Sequence, residues 1–287
     1  MRVIVWGLPL HSHTHSYVHN AFFRASKYMG LETLWLHNDL KSNEILRSDD
    51  VVISCGIEDN NLHLKHGVRY VLHNSDREDL RSEKYLNLQV YTHDVLERKV
   101  ESYGNLTFWQ NDNRTLYQPW ATDLLPNEIE KLEPVVSADS KDVFWIGSIM
   151  DGVHGNQEEI SQYASVCQLN KINFKLGRGA SVEQNVDAIR QSRHSVAIQG
   201  KWQVDKGYIP CRIFKNISYG CWTFTNSKNV SDLLGINYHA NLDEMFEQAE
   251  KHNVNPDMNR IREKMSLISK QHTYVNRLKT ILDHIRE

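Results

Sequence analysis

The sequence of 287 residues lacks several features that would assign it to other protein classes. It has no apolar run near the ~20 residues that a membrane-spanning helix needs. Its four cysteines include no C-x-x-C pair, so reduced, mostly buried thiols in a cytoplasmic protein are expected. The formal charge of −3 gives no reason to expect a nucleic acid or an anionic membrane as the main partner. We therefore predict no nucleic acid partner and no transmembrane segment.

Short apolar runs alternate with helix-like segments through the first half of the chain. Hydrophobic residues are 40% and charged residues 24% of the whole, which is typical of a globular protein. Between the first two runs, residues 17–29 have the apolar spacing of a helix. This alternation predicts a parallel sheet with crossover helices. The predicted strands are Val3–Trp6, Thr33–Leu36, Val51–Cys55, Tyr70–Leu72, Leu88–Tyr91 and Thr107–Trp109.

A charged segment that contains prolines predicts a boundary between two domains. We expect an N-terminal domain at 1–126, a linker at 127–141 and a C-terminal domain at 142–287. The second half restarts the alternation with a strand at 143–148, and its last helix is expected to pack back on the N-terminal domain. Two Rossmann-like halves would place a ligand in a cleft at the carboxyl ends of both sheets.

The most informative stretch runs from Lys206 to Gly220. Pro210 suits the first position of a helix, and Gly220 suits the left-handed position that ends one. An apolar stripe between them predicts a buried helix face. Lys206 and Arg212 lie near the helix start, where unpaired N–H groups and cations favour an anion such as phosphate. The plain alternative is a solvated basic helix start.

Glycine-containing loops follow three strands of the second half. These loops are Gly147-Ser148, Gly177-Arg178-Gly179 and Gln199-Gly200-Lys201. Each loop alone is typical of a turn, but their recurrence at one sheet edge favours a binding site. Trp145 and Trp222 lie within predicted strands and are expected in the core.

Several segments resemble GT-B glycosyltransferases of the "glycosyl transferases group 1" family, in the spore-maturation-protein-like branch. The residues that carry the resemblance are 207–225, Phe144-Trp-Ile-Gly-Ser148 and His272-Thr-Tyr-Val-Asn-Arg277. The resemblance implies an α/β fold of GT-B type, with two Rossmann-like domains facing a central cleft. It covers most of residues 119–287 and is weaker before them.

The resemblance implies transfer of a hexosyl or pentosyl group from a nucleotide-diphosphate sugar to an acceptor hydroxyl, as in glycan biosynthesis. It implies no metal and no permanently bound cofactor. Many group 1 enzymes carry two glutamates where this chain has Gly207 and Lys215, so ribose recognition must differ. The expected donor-binding residues are Gly147, Ser148, Arg178, Lys201, Lys206, Gly207, Tyr208, Ile209, Pro210, Arg212, Phe214 and Lys215.

A histidine-rich loop follows the first strand, at residues 10–19. In a GT-B protein this loop would face the donor, and a histidine there could take the proton from an acceptor hydroxyl. His13 and His15 are the preferred candidates because they are nearest to the next helix, and Asp76 is held in reserve. Capping of that helix or exposure to solvent is the alternative for each histidine.

Two other functions fit parts of the sequence. The H-x-H pairs formed by His11, His13 and His15 resemble the first metal motif of PHP-type phosphoesterases and amidohydrolases, which predicts a metal-dependent hydrolase. Those enzymes are barrels, however, and the restart at residue 143 does not suit one. An inactive nucleotide-sugar-binding protein is the other alternative, since the glutamates are missing. A dinucleotide oxidoreductase is disfavoured because no G-x-G-x-x-G follows the first strand.

Overall fold

The computed structural model describes residues 1–12, 15–55, 59–73, 85–90, 107–108 and 115–285. The chain divides into two compact units. The first comprises Met1–Pro119 together with His272–Glu287, and the second comprises Trp120–Gln271. Residues 127–141, where a linker was expected, therefore lie inside the second unit, and the last helix lies in the first.

A predominantly parallel sheet forms the first unit. Its strands within the described residues are β1 (Val3–Trp6), β2 (Thr33–Leu36), β3 (Val51–Cys55), β4 (Arg69–His73), β5 (Tyr85–Gln89), β6 (Thr107–Phe108) and β7 (Thr115–Tyr117). They are ordered β2-β1-β3-β4-β5-β7-β6, and the β6–β7 pair alone is antiparallel. The side chains of β1 are fully buried, as expected for a central strand covered on both faces. The predicted parallel sheet is confirmed.

The second unit has two parallel strand pairs. β8 (Asp142–Ile146) pairs with β9 (Asn173–Gly177), and β10 (Ser195–Ala197) pairs with β11 (Thr223–Thr225). Two hydrogen bonds attach the residues before β10 to β8: the amide of Phe144 donates to Ser192 Oγ at 2.9 Å, and that of Arg193 donates to the Asp142 carbonyl at 2.8 Å. Trp145 and Trp222 are 1% and 7% exposed, which confirms their predicted place in the core.

Helices cover the strands in both units. None in the described residues is long and apolar enough to cross a bilayer, and the expected cytoplasmic location stays a prediction. Across the described residues they are α1 (Ser16–Tyr28), α2 (Ser42–Ile45), α3 (Pro126–Ile129), α4 (Gln157–Leu169), α5 (Val182–Arg190), α6 (Lys201–Asp205), α7 (Cys211–Ser218), α8 (Lys228–Leu234), α9 (Leu242–Val254), α10 (Met258–Gln271) and α11 (Tyr274–His284).

The last helix, α11, packs against α1 within the first unit. The rings of Phe22 and Tyr274 meet edge to face, with centroids 4.8 Å apart. Thr273 caps α11 by accepting a hydrogen bond from the amide of Asn276, whose side chain bonds back to the Thr273 amide. This reciprocal cap satisfies backbone groups that the first turn leaves open.

A buried polar network joins α4, the residues just before β10, and α9 in the second unit. Glu250 binds Arg193 through two hydrogen bonds of 2.6 and 2.7 Å, and it also contacts Nε2 of the buried His194. Burial lowers the pKa of His194, so its neutral ring donates to Glu250 and accepts from the Tyr163 hydroxyl at 2.9 Å. Hydrogen bonds from His194 and then Arg193 lower the pKa of Glu250 to about 2.

This network predicts an acid-sensitive contribution to stability. The folded pKa of Glu250 lies below its usual 4.5, so its stabilisation is present above about pH 4.5 and is lost as the pH falls toward about 2. Glu250→Gln should lower the free energy of unfolding by about 1–3 kcal/mol at neutral pH, because Arg193 and His194 lose their ionised acceptor. The deficit should shrink in melting curves recorded from about pH 5 to about pH 3. Glu247→Gln, an exposed position on α9, is the matched control. A deficit independent of pH would contradict the prediction.

Candidate functional site

The loop and helix singled out from the sequence form as a unit. Gly207 has φ 66°, which favours glycine, and Pro210 has φ −73° and ψ 150°. Pro210 is therefore the residue before α7, one position earlier than predicted. Gly220 follows the helix with φ 93°, and a Cβ there would lie 2.7 Å from the carbonyl oxygen of Glu133. The apolar stripe is confirmed as a core face by the burial of Ile209, Ile213, Phe214 and Ile217.

Arg212 occupies the first turn of α7 and stacks on Trp145 of β8. The guanidinium carbon lies 3.4 Å from the centre of a Trp145 ring. Gly147 leaves room for this cation, since a Cβ there would lie 2.6 Å from Arg212 Nη2. Gly147 also has φ 135°, where a side chain is disfavoured. The absence of a side chain at Gly147 therefore decides where the guanidinium lies.

The charge of Arg212 has no counter-ion among the residues that the structure describes. Its guanidinium makes no hydrogen bond or ion pair with them. Burial lowers its pKa to about 10. The first N–H groups of an α-helix also lack intrahelical acceptors and give that end a partial positive charge. A half-buried cation at the positive end of a helix is costly by itself, and an anion bound there would relieve that cost.

The other predicted cations are arranged differently. Lys201 pairs with Asp205 at 2.6 Å on the exposed surface of α6. Arg178 lies exposed in the loop after β9, and Lys206 is half-buried before α7. Lys215 lies 2.8 Å from the buried carboxylate of Asp123, which raises the Lys215 pKa despite burial. Among the five predicted cations, Arg212 is the one whose guanidinium lies against Gly147 in the predicted loop after β8.

Lys215 belongs to a set of contacts that hold α7 to residues 120–124. Asp123 also accepts a hydrogen bond from the Tyr219 hydroxyl at 2.7 Å. Thr122 and Ser218 join their hydroxyl groups at 2.7 Å. The side chains of Lys215 and of the fully buried Phe214 thus serve packing and charge balance inside the unit. Lys215 was expected to bind the donor, and its ion pair with Asp123 gives that prediction no support.

Tyr208 is fixed at several atoms just before α7. Its hydroxyl accepts from the Trp120 indole at 2.8 Å, and its carbonyl accepts from the Gln199 side chain at 2.7 Å. Its amide donates to the Gln203 carbonyl at 3.0 Å. Gln199 belongs to a loop singled out from the sequence, but neither it nor Trp120 was predicted to contact Tyr208, because the sequence gives no signal for such contacts.

A cavity of about 450 Å³ lies between the loop after β8 and the start of α4. Asp151, Glu158, Glu159 and Lys201 are among its lining residues. Gly155, which lines the cavity, lies so close to Gly200 that a Cβ on Gly200 would overlap the Gly155 carbonyl oxygen. The excess of carboxylates makes this cavity a poor place for a phosphate, in contrast to the start of α7.

The histidine-rich loop is described only in part. His15 directly precedes α1 and is half-buried, as expected for a residue at that helix start. His11 meets the Tyr17 hydroxyl through Nδ1 at 3.1 Å. His13 and Asp76, the other catalytic candidates, lie outside the described residues. Within those that are described, no three His, Cys, Asp or Glu side chains form a group suited to a metal ion, so nothing there favours the hydrolase alternative.

Comparisons of sequence identify no relative. No protein-family model matches the chain, and no curated protein matches it. Membership of group 1, or of its spore-maturation-protein-like branch, therefore stays a prediction.

Comparisons with solved structures identify the fold of the chain. The chain is similar to an alpha-glucosyltransferase in complex with UDP and a 13-mer DNA containing a central A:G mismatch, with TM-score 0.66, 10% identity and 100% of both chains covered. A complex of alpha-glucosyltransferase with UDP and DNA containing a HMU base gives the same values. The DNA-modifying enzyme beta-glucosyltransferase matches with TM-score 0.53, 10% identity and full coverage of both chains. The predicted α/β fold of GT-B type is confirmed.

The expectation of no nucleic acid partner is contradicted by these comparisons. Two of the similar structures are complexes with DNA. The expectation rested on the net charge of −3, which sums over the whole surface. A net charge says nothing about how cations are distributed locally, and a protein can bind a polyanion through one surface while remaining acidic overall.

Proposed function

We propose that this protein is a glycosyltransferase that moves a sugar from a nucleoside-diphosphate sugar to a hydroxyl group. The observation that carries the proposal is the cation of Arg212 at the start of α7, without a counter-ion in the described part of the chain. A diphosphate would supply that counter-ion. The GT-B fold and the UDP bound in the similar alpha-glucosyltransferase structures support the same ligand class.

The proposed chemistry follows from the charge that develops on the donor. When the bond between the sugar and the diphosphate breaks, negative charge grows on the leaving phosphate oxygen. The fixed guanidinium of Arg212 and the amides of the α7 start would stabilise that charge more in the transition state than before it. These groups can do the work that a divalent cation does in other enzymes, so we propose transfer without a metal.

We propose DNA as the acceptor and glucose as the transferred sugar. The support is that the similar structures are glucosyltransferases, two of them bound to DNA and one termed a DNA-modifying enzyme. His15 remains the proposed general base on the first unit, because it lies at the start of α1 directly after the loop that follows β1. Its ring could accept the proton of the acceptor hydroxyl near neutral pH.

The test combines binding and turnover with the whole chain. Melting temperature is measured against nucleoside diphosphates, UDP-glucose and buffer, each with and without EDTA. A ligand at about 100 times its Kd should add about 2.7 kcal/mol of stability. Stabilisation by UDP that EDTA does not change, with transfer of labelled glucose to DNA bearing hydroxylated bases, is the expected result. Binding without transfer to any acceptor would favour the inactive sugar-nucleotide-binding alternative. Failure of every nucleotide to stabilise the chain would contradict the proposal.

A further inference from the structure

The carboxyl ends of β10 and β11 are joined by one amide side chain. Asn226 follows β11, and its Oδ1 accepts from the Gln199 amide at 2.8 Å while its Nδ2 donates to the Gln199 carbonyl at 2.7 Å. This pair of bonds extends the β10–β11 pairing beyond the last strand residues. The backbone of Gln199 is therefore held at both its donor and its acceptor.

The side chain of Gln199 reaches from this held backbone to the loop before α7. Its Nε2 donates to the Tyr208 carbonyl at 2.7 Å, two residues before Pro210. The Tyr208 hydroxyl is held by Trp120 at 2.8 Å. Gly207, in the left-handed region, makes the turn directly before Tyr208. The direction in which α7 begins thus depends on a loop that Gln199 attaches to the sheet.

The side-chain amide of Gln199 is energetically costly in its buried position. The residue is 1% exposed, and its Oε1 is buried without a hydrogen-bond partner in the part of the chain that the structure describes. A buried acceptor without a partner costs free energy, and this cost offsets much of what the Nε2 hydrogen bond to Tyr208 contributes to folding. Turning the amide over would bring two oxygen acceptors together, so Nε2 must face Tyr208. What the glutamine supplies is the position of the loop.

We propose that Gln199 is a positioning residue for donor binding, which holds the loop before α7 so that the helix start and Arg212 face the diphosphate together. This inference rests on the proposed function, because it assigns the diphosphate to that helix start. It also names a residue in the loop after β10 that acts on binding without contacting the ligand.

The experiment compares UDP and uridine binding to the parent chain and to Gln199→Met by titration calorimetry, with melting temperature recorded for each. Loss of one positioning hydrogen bond should weaken UDP binding about three- to tenfold. Uridine binding should stay unchanged, because uridine has no phosphate. The melting temperature should change little, since loss of the unpartnered Oε1 offsets loss of the donor to the Tyr208 carbonyl; a purely structural role would lower it.

Ser231→Ala is the matched control. It removes a side-chain hydrogen bond of 2.7 Å to a loop carbonyl, that of Ile236, in the same unit. It should lower the melting temperature and leave UDP binding unchanged. The inference is overturned if Gln199→Met binds UDP as the parent does, or if its UDP and uridine affinities fall together with its melting temperature. A parent chain that binds no nucleoside diphosphate would instead overturn the proposed function, and this inference with it.

Discussion

Replacement of Arg212 by alanine is expected to weaken UDP binding by about 10- to 100-fold, because a hydrogen bond to a charged group contributes about 1.5–3 kcal/mol. The loss should be large because this guanidinium is already half-buried and lacks a counter-ion in the described residues. The Arg212 guanidinium has already lost part of its hydration on folding. A contact between it and a phosphate oxygen therefore requires little further desolvation. The proposed glucosyl transfer should fall by a further factor if the same contact strengthens as the phosphate leaves.

Two further substitutions distinguish the effect of the Arg212 charge on UDP binding from the effect of the position of its guanidinium. Arg212→Lys keeps the charge but loses the planar group that stacks 3.4 Å above Trp145, so UDP binding should recover only in part. Gly147→Ala keeps arginine but places a Cβ 2.6 Å from Nη2 in a backbone region unfavourable for alanine. It should therefore weaken UDP binding with Arg212 present.

Calorimetric titration with UDP checks these variants, and Lys251→Ala on the exposed end of α9 controls for a simple change in net charge. The control should bind UDP like the parent. Equal UDP affinities for the parent and Arg212→Ala, in chains with matching circular dichroism, would exclude Arg212 from the site. Equal losses in Arg212→Ala and Lys251→Ala would mean that only the overall charge matters.

Local sequence patterns predicted most of the sheet. Strands such as Val3–Trp6 and Thr33–Leu36 have the predicted bounds, since short buried parallel strands are continuous apolar runs between polar loops. β7 was not predicted, because its three residues, Thr115–Tyr117, are too few to form a pattern. The boundary at Pro119 was also not predicted. The boundary between the two units is set by contacts between residues distant in the sequence. The prolines and charges at 127–141 carry no information about those contacts.

The residues of the candidate site could likewise be predicted only where the signal is local in the sequence. Pro210 and Gly220 were found because helix ends have local requirements for proline and glycine, and Arg212 because it is a cation near that helix start. Trp145 was placed in the core without its role under Arg212, Gln199 was named only as part of a loop, and Asp123 had no assigned role. Their partners lie 9 to 96 residues away in the sequence. Lys215 looked like a ligand contact because its partner Asp123 is visible only after folding.

The largest effect on stability is expected at Arg277 of α11. Its side chain is 0% exposed, its Nε donates to the Pro119 carbonyl at 3.0 Å, and its Nη2 meets His272 Nδ1 at 3.0 Å. Burial lowers the Arg277 pKa to about 10; burial and then the Arg277 charge lower the His272 pKa to about 2. Arg277→Met would remove both of these hydrogen bonds from buried acceptors. We expect a loss of about 3–5 kcal/mol of unfolding free energy in urea denaturation.

A readout at His272 makes the Arg277 prediction specific. Without the neighbouring cation, one of the two causes that depress the His272 pKa disappears, so the pKa should rise in Arg277→Met when followed by NMR. Lys279→Met, on an exposed position of the same helix, should change unfolding free energy by less than about 0.5 kcal/mol and leave His272 unaffected. Arg277 attaches α11 to Pro119, where the first segment of this unit ends. Loss of that attachment should therefore produce faster amide exchange in α11. A variant as stable as the parent, with an unchanged His272 pKa, would show that Arg277 does not hold the end of the first unit.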